Sequence, residues 1–197
     1  QPAAEWRRAI SLLRGVKLAP GLSLARPATL GDMDALVGHL PVLSGLSMKE
    51  RQDLASHSLV ADAPSGTTII RKGDKSDNAY FILKGKIVAG HEEDGQYHLL
   101  EVLNAGDFFG EIAALTGVPR TADVVVDEPS TLLQVPAATL RWMNADPQIN
   151  RIFLNKMTER MVRMNMLDLP LFSGLDQDSL RELRTANPEP APGAEIA

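Results

Sequence analysis

One carboxylate and one guanidinium frame the stretch Phe109-Gly110-Glu111-Ile112-Ala113-Ala114-Leu115-Thr116-Gly117-Val118-Pro119-Arg120-Thr121-Ala122. Glu111 can accept a hydrogen bond from a hydroxyl but repels a phosphate, whereas Arg120 offers a planar fork that suits a pair of phosphate oxygens. Gly110 has no Cβ, so the backbone there can turn sharply and come close to a ligand. Ile112 to Leu115 can form one helical turn, whose first N–H groups have no internal partners and suit an anion. Pro119 stiffens the return to Arg120. A site with both charges wants a ligand carrying a phosphate at one end and a sugar hydroxyl nearby. No catalytic residue is assigned, because Glu111 is not paired in the sequence with a second carboxylate or a nucleophile. No metal site is assigned either: the four histidines show no ligand spacing, and His91 and His98 read as solvated strand residues facing each other across a hairpin.

The elements that must position these side chains are mostly short strands. Candidates lie at Thr67–Arg71, Tyr80–Leu83, Lys86–His91, Tyr97–Leu103 and Val124–Val126, with a last one near Leu132–Val135. Asp94-Gly95 between two alternating runs is a hairpin signal. Even spacing of short strands points to an α+β chain built on an antiparallel jelly roll, a double-layered barrel, with flanking N-terminal helices and a long C-terminal helix. Trp6, Ile10, Leu13 and Val16 recur at helical spacing, and Gly15–Pro27 reads as a linker. A short helix over Asp32–Leu40 follows, then a bend, and Ser47 with Glu50 has the spacing of a capping box for a helix to about Ser58. Pro136 opens another helix. Asp146-Pro147 then caps the last one, which reaches about Leu167 with Ile149, Ile152/Phe153, Met157, Met161, Met164 and Leu167 on one face.

Taken together, these residues resemble the cyclic nucleotide-binding domain family. The stretch 109–122 is similar to its phosphate-binding cassette, which runs Phe-Gly-Glu, a few small apolar residues, then Pro-Arg-Thr/Ser-Ala. The resemblance extends upstream to Ile70-Arg71-Lys72-Gly73-Asp74 and Tyr80-Phe81-Ile82-Leu83-Lys84-Gly85-Lys86, and covers roughly Asp32 to Leu167. It implies that Glu111 takes the ribose 2′-hydroxyl, that Arg120 pairs with the cyclic phosphate, and that backbone amides near Ala113, Thr121 and Ala122 complete the cradle. The ligand-binding set it implies is Phe109, Gly110, Glu111, Ile112, Ala113, Arg120, Thr121 and Ala122. The ligand would be cAMP in preference to cGMP, with no further cofactor. Asp123 departs from the family pattern, which has a small hydroxyl residue there, and weakens anion binding if it points inward.

The resemblance implies a sensor module that controls a fused or separate effector, a membrane transporter or channel among the candidates, through movement of the C-terminal helix. In some members of the family that helix also forms a homodimer seam. The rival readings are the sensor domain of a cAMP-responsive transcription factor and a degenerate copy acting as an interaction domain. Composition narrows the field. The formal net charge of −5 over 197 residues gives no field for nucleic acid, and the absence of cysteine removes disulfides, thiolate metal sites and cysteine nucleophiles. No apolar run approaches membrane-spanning length, so a cytoplasmic protein, or the cytoplasmic part of a membrane protein, is expected. A chain that starts at Gln1 is expected to be a piece of a longer one. Leu169-Pro170-Leu171-Phe172-Ser173-Gly174-Leu175-Asp176 restates Leu40-Pro41-Val42-Leu43-Ser44-Gly45-Leu46-Ser47. The expected organisation is therefore 1–31 as helix and linker, 32–168 as the binding domain, and 169–197 as the start of a second copy or a tail.

Overall fold

A computed structural model describes residues 18–164 of the chain. The expected Trp6–Val16 helix, the repeat at 169–176 and the last residues of the C-terminal helix lie outside them. In chain order the elements are β1 (Ser23–Pro27), α1 (Leu30–His39), a 3-10 turn (Pro41–Gly45), α2 (Met48–Ser56), β2 (Leu59–Ala63), β3 (Thr68–Ile70), β4 (Ala79–Glu93), β5 (Gln96–Asn104), β6 (Phe108–Phe109), α3 (Glu111–Thr116), β7 (Asp123–Val135), α4 (Ala137–Met143) and α5 (Pro147–Arg163).

The seven strands form one antiparallel jelly-roll sheet. Its path runs β1-β2-β7-β4-β5, with β3 paired to β7 and β6 to β4, so β1 and β5 are the two ends and the sheet stays open. The expected strands at 80–83 and 86–91 are two halves of β4, and those at 124–126 and 132–135 are two halves of β7. These long strands pair along their length, with register shifts between Ile82 and Ile87. Gly85 sits within that irregularity at φ 107°, and a Cβ there would lie 2.1 Å from Oγ of Ser130. Only glycine fits there, and the register of the two strands shifts around it.

Side chains alternate across the bend. Tyr80 and Ile82 join Ile87, Leu103, Val126 and Leu132 inside the sheet. Phe81 points the other way, into a helical core with Leu36, Phe108, Leu140, Ile149 and Phe153. Two helix starts follow the capping signals: Ser47 and Glu50 exchange the expected pair of bonds, and Asp146 accepts from the N–H groups of Gln148 and Ile149. The hairpin also forms as expected, with Asp94 and Gly95 at φ 53° and 76° as a primed turn needs, and His91 opposite His98.

The linker reading of Gly15–Pro27 is corrected at its end. Ser23–Pro27 is a strand, paired antiparallel with β2, which the sequence reading also passed over. Arg26 helps to fasten it, since its Nη2 donates to Oδ1 of Asp32 at 2.7 Å while Asp32 also caps α1 through Thr29. Among the described residues no helix is long and apolar enough to cross a membrane.

Candidate functional site

The cleft forms where α3, the mouth of the sheet and α5 meet. All eight expected ligand-binding residues line it: Phe109, Gly110, Glu111, Ile112, Ala113, Arg120, Thr121 and Ala122. Ile70, Ala89, Leu103 and Val124 supply an apolar floor from the sheet. The remaining wall carries Leu100 and Glu101 from β5, with Arg160, Arg163 and Met164 at the end of α5.

Arg120 is only 4% exposed and is set from several sides. Its Nε donates to Oγ of Ser76 at 3.1 Å, its Nη1 to the Gly110 carbonyl at 3.1 Å and its Nη2 to the Asn78 carbonyl at 2.7 Å. The loop between β3 and β4 also holds its backbone, through Asp74 O and Gly73 N, each at 2.8 Å. All three side-chain acceptors are uncharged, so the guanidinium's charge is not cancelled at contact. Burial pulls its pKa below the ordinary arginine value, with Tyr80, Asp77, Glu111 and Asp74 acting in the opposite sense. Gly110 is dictated by this arrangement: at φ 83°, a Cβ would lie 2.7 Å from the Asn78 carbonyl and 2.9 Å from Nη1 of Arg120. Beneath, Tyr80 stacks on Phe109 with ring centroids 5.0 Å apart, and burial pushes the Tyr80 hydroxyl up to about 12.

Asp123 does not line the cleft. Its Oδ1 accepts from the Lys72 backbone N–H at 2.7 Å, so the charge that departs from the family pattern is spent on tying down the β3–β4 loop.

Glu111 is 1% exposed and has a partner that the sequence reading missed. Arg160 of α5 donates through Nη1 to Oε1 of Glu111 at 2.6 Å. The same guanidinium donates through Nε to Oε2 of Glu101 at 2.9 Å and through Nη2 to the Phe108 carbonyl at 2.7 Å. Burial acts against the charge on Arg160, but the Glu111 and Glu101 carboxylates more than offset it, and its pKa is raised. Burial also works against Glu101, yet Arg160, with Lys156 and Arg163, holds that carboxyl below its ordinary range. A second carboxylate therefore does stand beside Glu111, brought in by folding from ten residues upstream. Met157, Met161 and Val162 of the same helix pack on Ile112 of α3. Among the described residues no group of three histidine, aspartate or glutamate side chains is disposed to hold a metal ion.

An open antiparallel jelly roll with a charged, partly apolar cleft between its mouth and a terminal helix defines a ligand-binding domain. Residues 61–145, under half of the chain, match the family model described as cyclic nucleotide-binding domain. Among curated proteins it is similar to the CRP-like cAMP-activated global transcriptional regulator of Mycobacterium tuberculosis, 26% identical over 135 residues, covering 68% of this chain and 60% of that one. It is also similar to the cAMP-dependent protein kinase type II regulatory subunit of Drosophila melanogaster, 33% identical over 91 residues, or 46% of this chain and 24% of that one. The chain thus spans less than two thirds of the first relative and about a quarter of the second. Among solved structures, a cyclic nucleotide-binding domain from Methylobacillus flagellatus superposes with a TM-score of 0.57 at 19% identity, covering 84% of this chain and 97% of that one, and supports the fold.

Proposed function

We propose that the cleft binds a cyclic purine nucleotide, cAMP in preference to cGMP, and that α5 reports its occupancy to an attached or partner effector. The observation that carries this reading is the pairing of a buried, charge-bearing Arg120 with a buried Glu111 in one cleft. Arg120 uses three of its five N–H donors on fixed neutral acceptors, which leaves donors for the phosphate. One oxygen of Glu111 belongs to Arg160, and the other serves the ribose 2′-hydroxyl.

Charge sharpens the choice of ligand. Three guanidiniums and two carboxylates line the cleft, an excess of one positive charge. That excess suits a cyclic phosphodiester, which carries a single negative charge, better than the dianion of a 5′-monophosphate. The apolar floor suits a purine. The preference for adenine draws on the names of the relatives, which are cAMP-activated or cAMP-dependent.

The reading is of a binding module and not an enzyme, since both carboxylates in the cleft are committed to Arg160. These 197 residues are themselves not read as contacting DNA, because their net charge of −5 offers no attraction for a polyanion. Calorimetric titration of the chain with cAMP, cGMP and 5′-AMP tests the proposal. The expected order is cAMP, then cGMP, with 5′-AMP far weaker. Absence of binding by both cyclic nucleotides would refute it.

A further inference from the structure

Arg160 is shared unequally between two carboxylates from different elements. Glu101, on β5, takes a two-pronged contact, Nε to Oε2 at 2.9 Å and Nη2 to Oε1 at 3.2 Å. Glu111, the first residue of α3, takes a single contact, Nη1 to Oε1 at 2.6 Å. A two-pronged contact occupies both oxygens of a carboxylate, whereas a single one leaves an oxygen over. We propose that Glu101 is a specificity-determining positioning residue: by holding the fork of Arg160, it keeps one oxygen of Glu111 available to the ribose 2′-hydroxyl. This inference rests on the nucleotide reading above.

The physical argument is a competition. Arginine and carboxylate prefer the parallel, two-bond arrangement when nothing prevents it. Glu111 is the more deeply buried of the two acids, in surroundings where an unopposed guanidinium attracts it strongly. With the charge at position 101 removed, Arg160 turns its fork onto Glu111 and engages both oxygens, so the hydroxyl must share an acceptor already held by the guanidinium and binds it more weakly. Glu101 is well placed to prevent this, because Lys156 at 3.6 Å and Arg163 at 3.5 Å hold it from the same helix. The register of α5 against β5 and the selectivity for ribose are thereby linked through one arginine.

The test is a pair of titrations of the 197-residue chain, with cAMP and with 2′-deoxy-cAMP, in the native protein and in Glu101→Gln. The native chain is expected to prefer the ribonucleotide, and Glu101→Gln to lose about fivefold of that preference, the scale of one hydrogen bond, by weaker binding of the ribonucleotide. A merely structural staple between β5 and α5 would weaken both ligands equally, and an unchanged ratio overturns the inference. Lys156→Ala loosens the same contact without touching Arg160 and should leave the ratio as it is; a fall as large as that of Glu101→Gln also overturns it. If circular dichroism shows that Glu101→Gln does not fold, Glu101→Asp replaces it, with a smaller fall in the ratio expected and no fall counting against the inference. A native chain that binds neither ligand defeats the nucleotide reading itself, whereas discrimination that persists in the variants defeats only the role of Glu101.

Discussion

At the scale of single residues, Arg120 has two jobs, and its replacement should show both. It faces the cleft, and its donors also satisfy the carbonyls of Gly110 and Asn78, which lie at the junction of β4 and α3. Arg120→Ala is therefore expected to cost about 2–5 kcal/mol in nucleotide affinity, the usual loss of a buried charge contact. It should also lower stability by about 1–3 kcal/mol, because polar groups are left without their donor. Urea unfolding alongside calorimetry separates the two. Arg120→Lys keeps the charge but cannot serve three acceptors at once, and is expected to bind more weakly than the native chain while folding better than the alanine variant. Glu111→Gln should weaken cAMP binding less than Arg120→Ala does and should reduce discrimination against the 2′-deoxy analogue. An amide at 111 that leaves this discrimination untouched would remove Glu111 from the ribose contact.

At the scale of elements, α5 is anchored in two ways that respond differently to pH. Ile149 and Phe153 near its start belong to the helical core, which does not titrate. Its last turns are held by Arg160 and Arg163 on Glu101, whose carboxyl is held below its ordinary range by those cations despite burial. A depressed carboxylate contributes stability that is fully present above its unfolded value and is lost as pH falls through the folded one. Backbone amides over Met157–Arg163 are therefore expected to lose hydrogen-exchange protection below about pH 4, while those near Phe153 keep theirs. Simultaneous loss along the whole helix would show that Glu101 does not hold its end.

The elements also divide by how well they could be read from sequence. Helix starts marked by Ser47 and Asp146 were legible because a cap is a local exchange of bonds. The lining of the cleft over 109–122 was legible because its glycine, acid and arginine lie in one short segment. β1 and β2 were not, since neither shows clean alternation and each is a strand only by pairing with its neighbours. The role of Arg160 was hidden for a related reason. On the helix it looks like any polar residue between methionines, and only the fold brings it to Glu111, 49 positions away in the chain. Glu101 could have been flagged by one signal, an acid in an otherwise apolar run of β5, but nothing local names its partner.

At the scale of the whole molecule, ligand binding and folding stability are one equilibrium. The cleft is walled by the sheet, by α3 and by α5, so an unfolded chain has no site and a ligand that fits must stabilise the folded state by mass action. At a hundredfold excess over the dissociation constant the gain is about 2.7 kcal/mol. For a domain of this size that corresponds to a rise in melting temperature of roughly 5–10 °C. The charge balance of the cleft adds a qualitative demand. Because its lining carries an excess of one positive charge, cAMP at saturating concentration should give the full shift, and 5′-AMP at the same concentration should give little or none. Differential scanning calorimetry with the two nucleotides, at fixed ionic strength, measures both arms. Equal shifts would mean that the cleft recognises any adenine nucleotide, and that the ring-closed phosphate is not what Arg120 and the wall around it are built to hold.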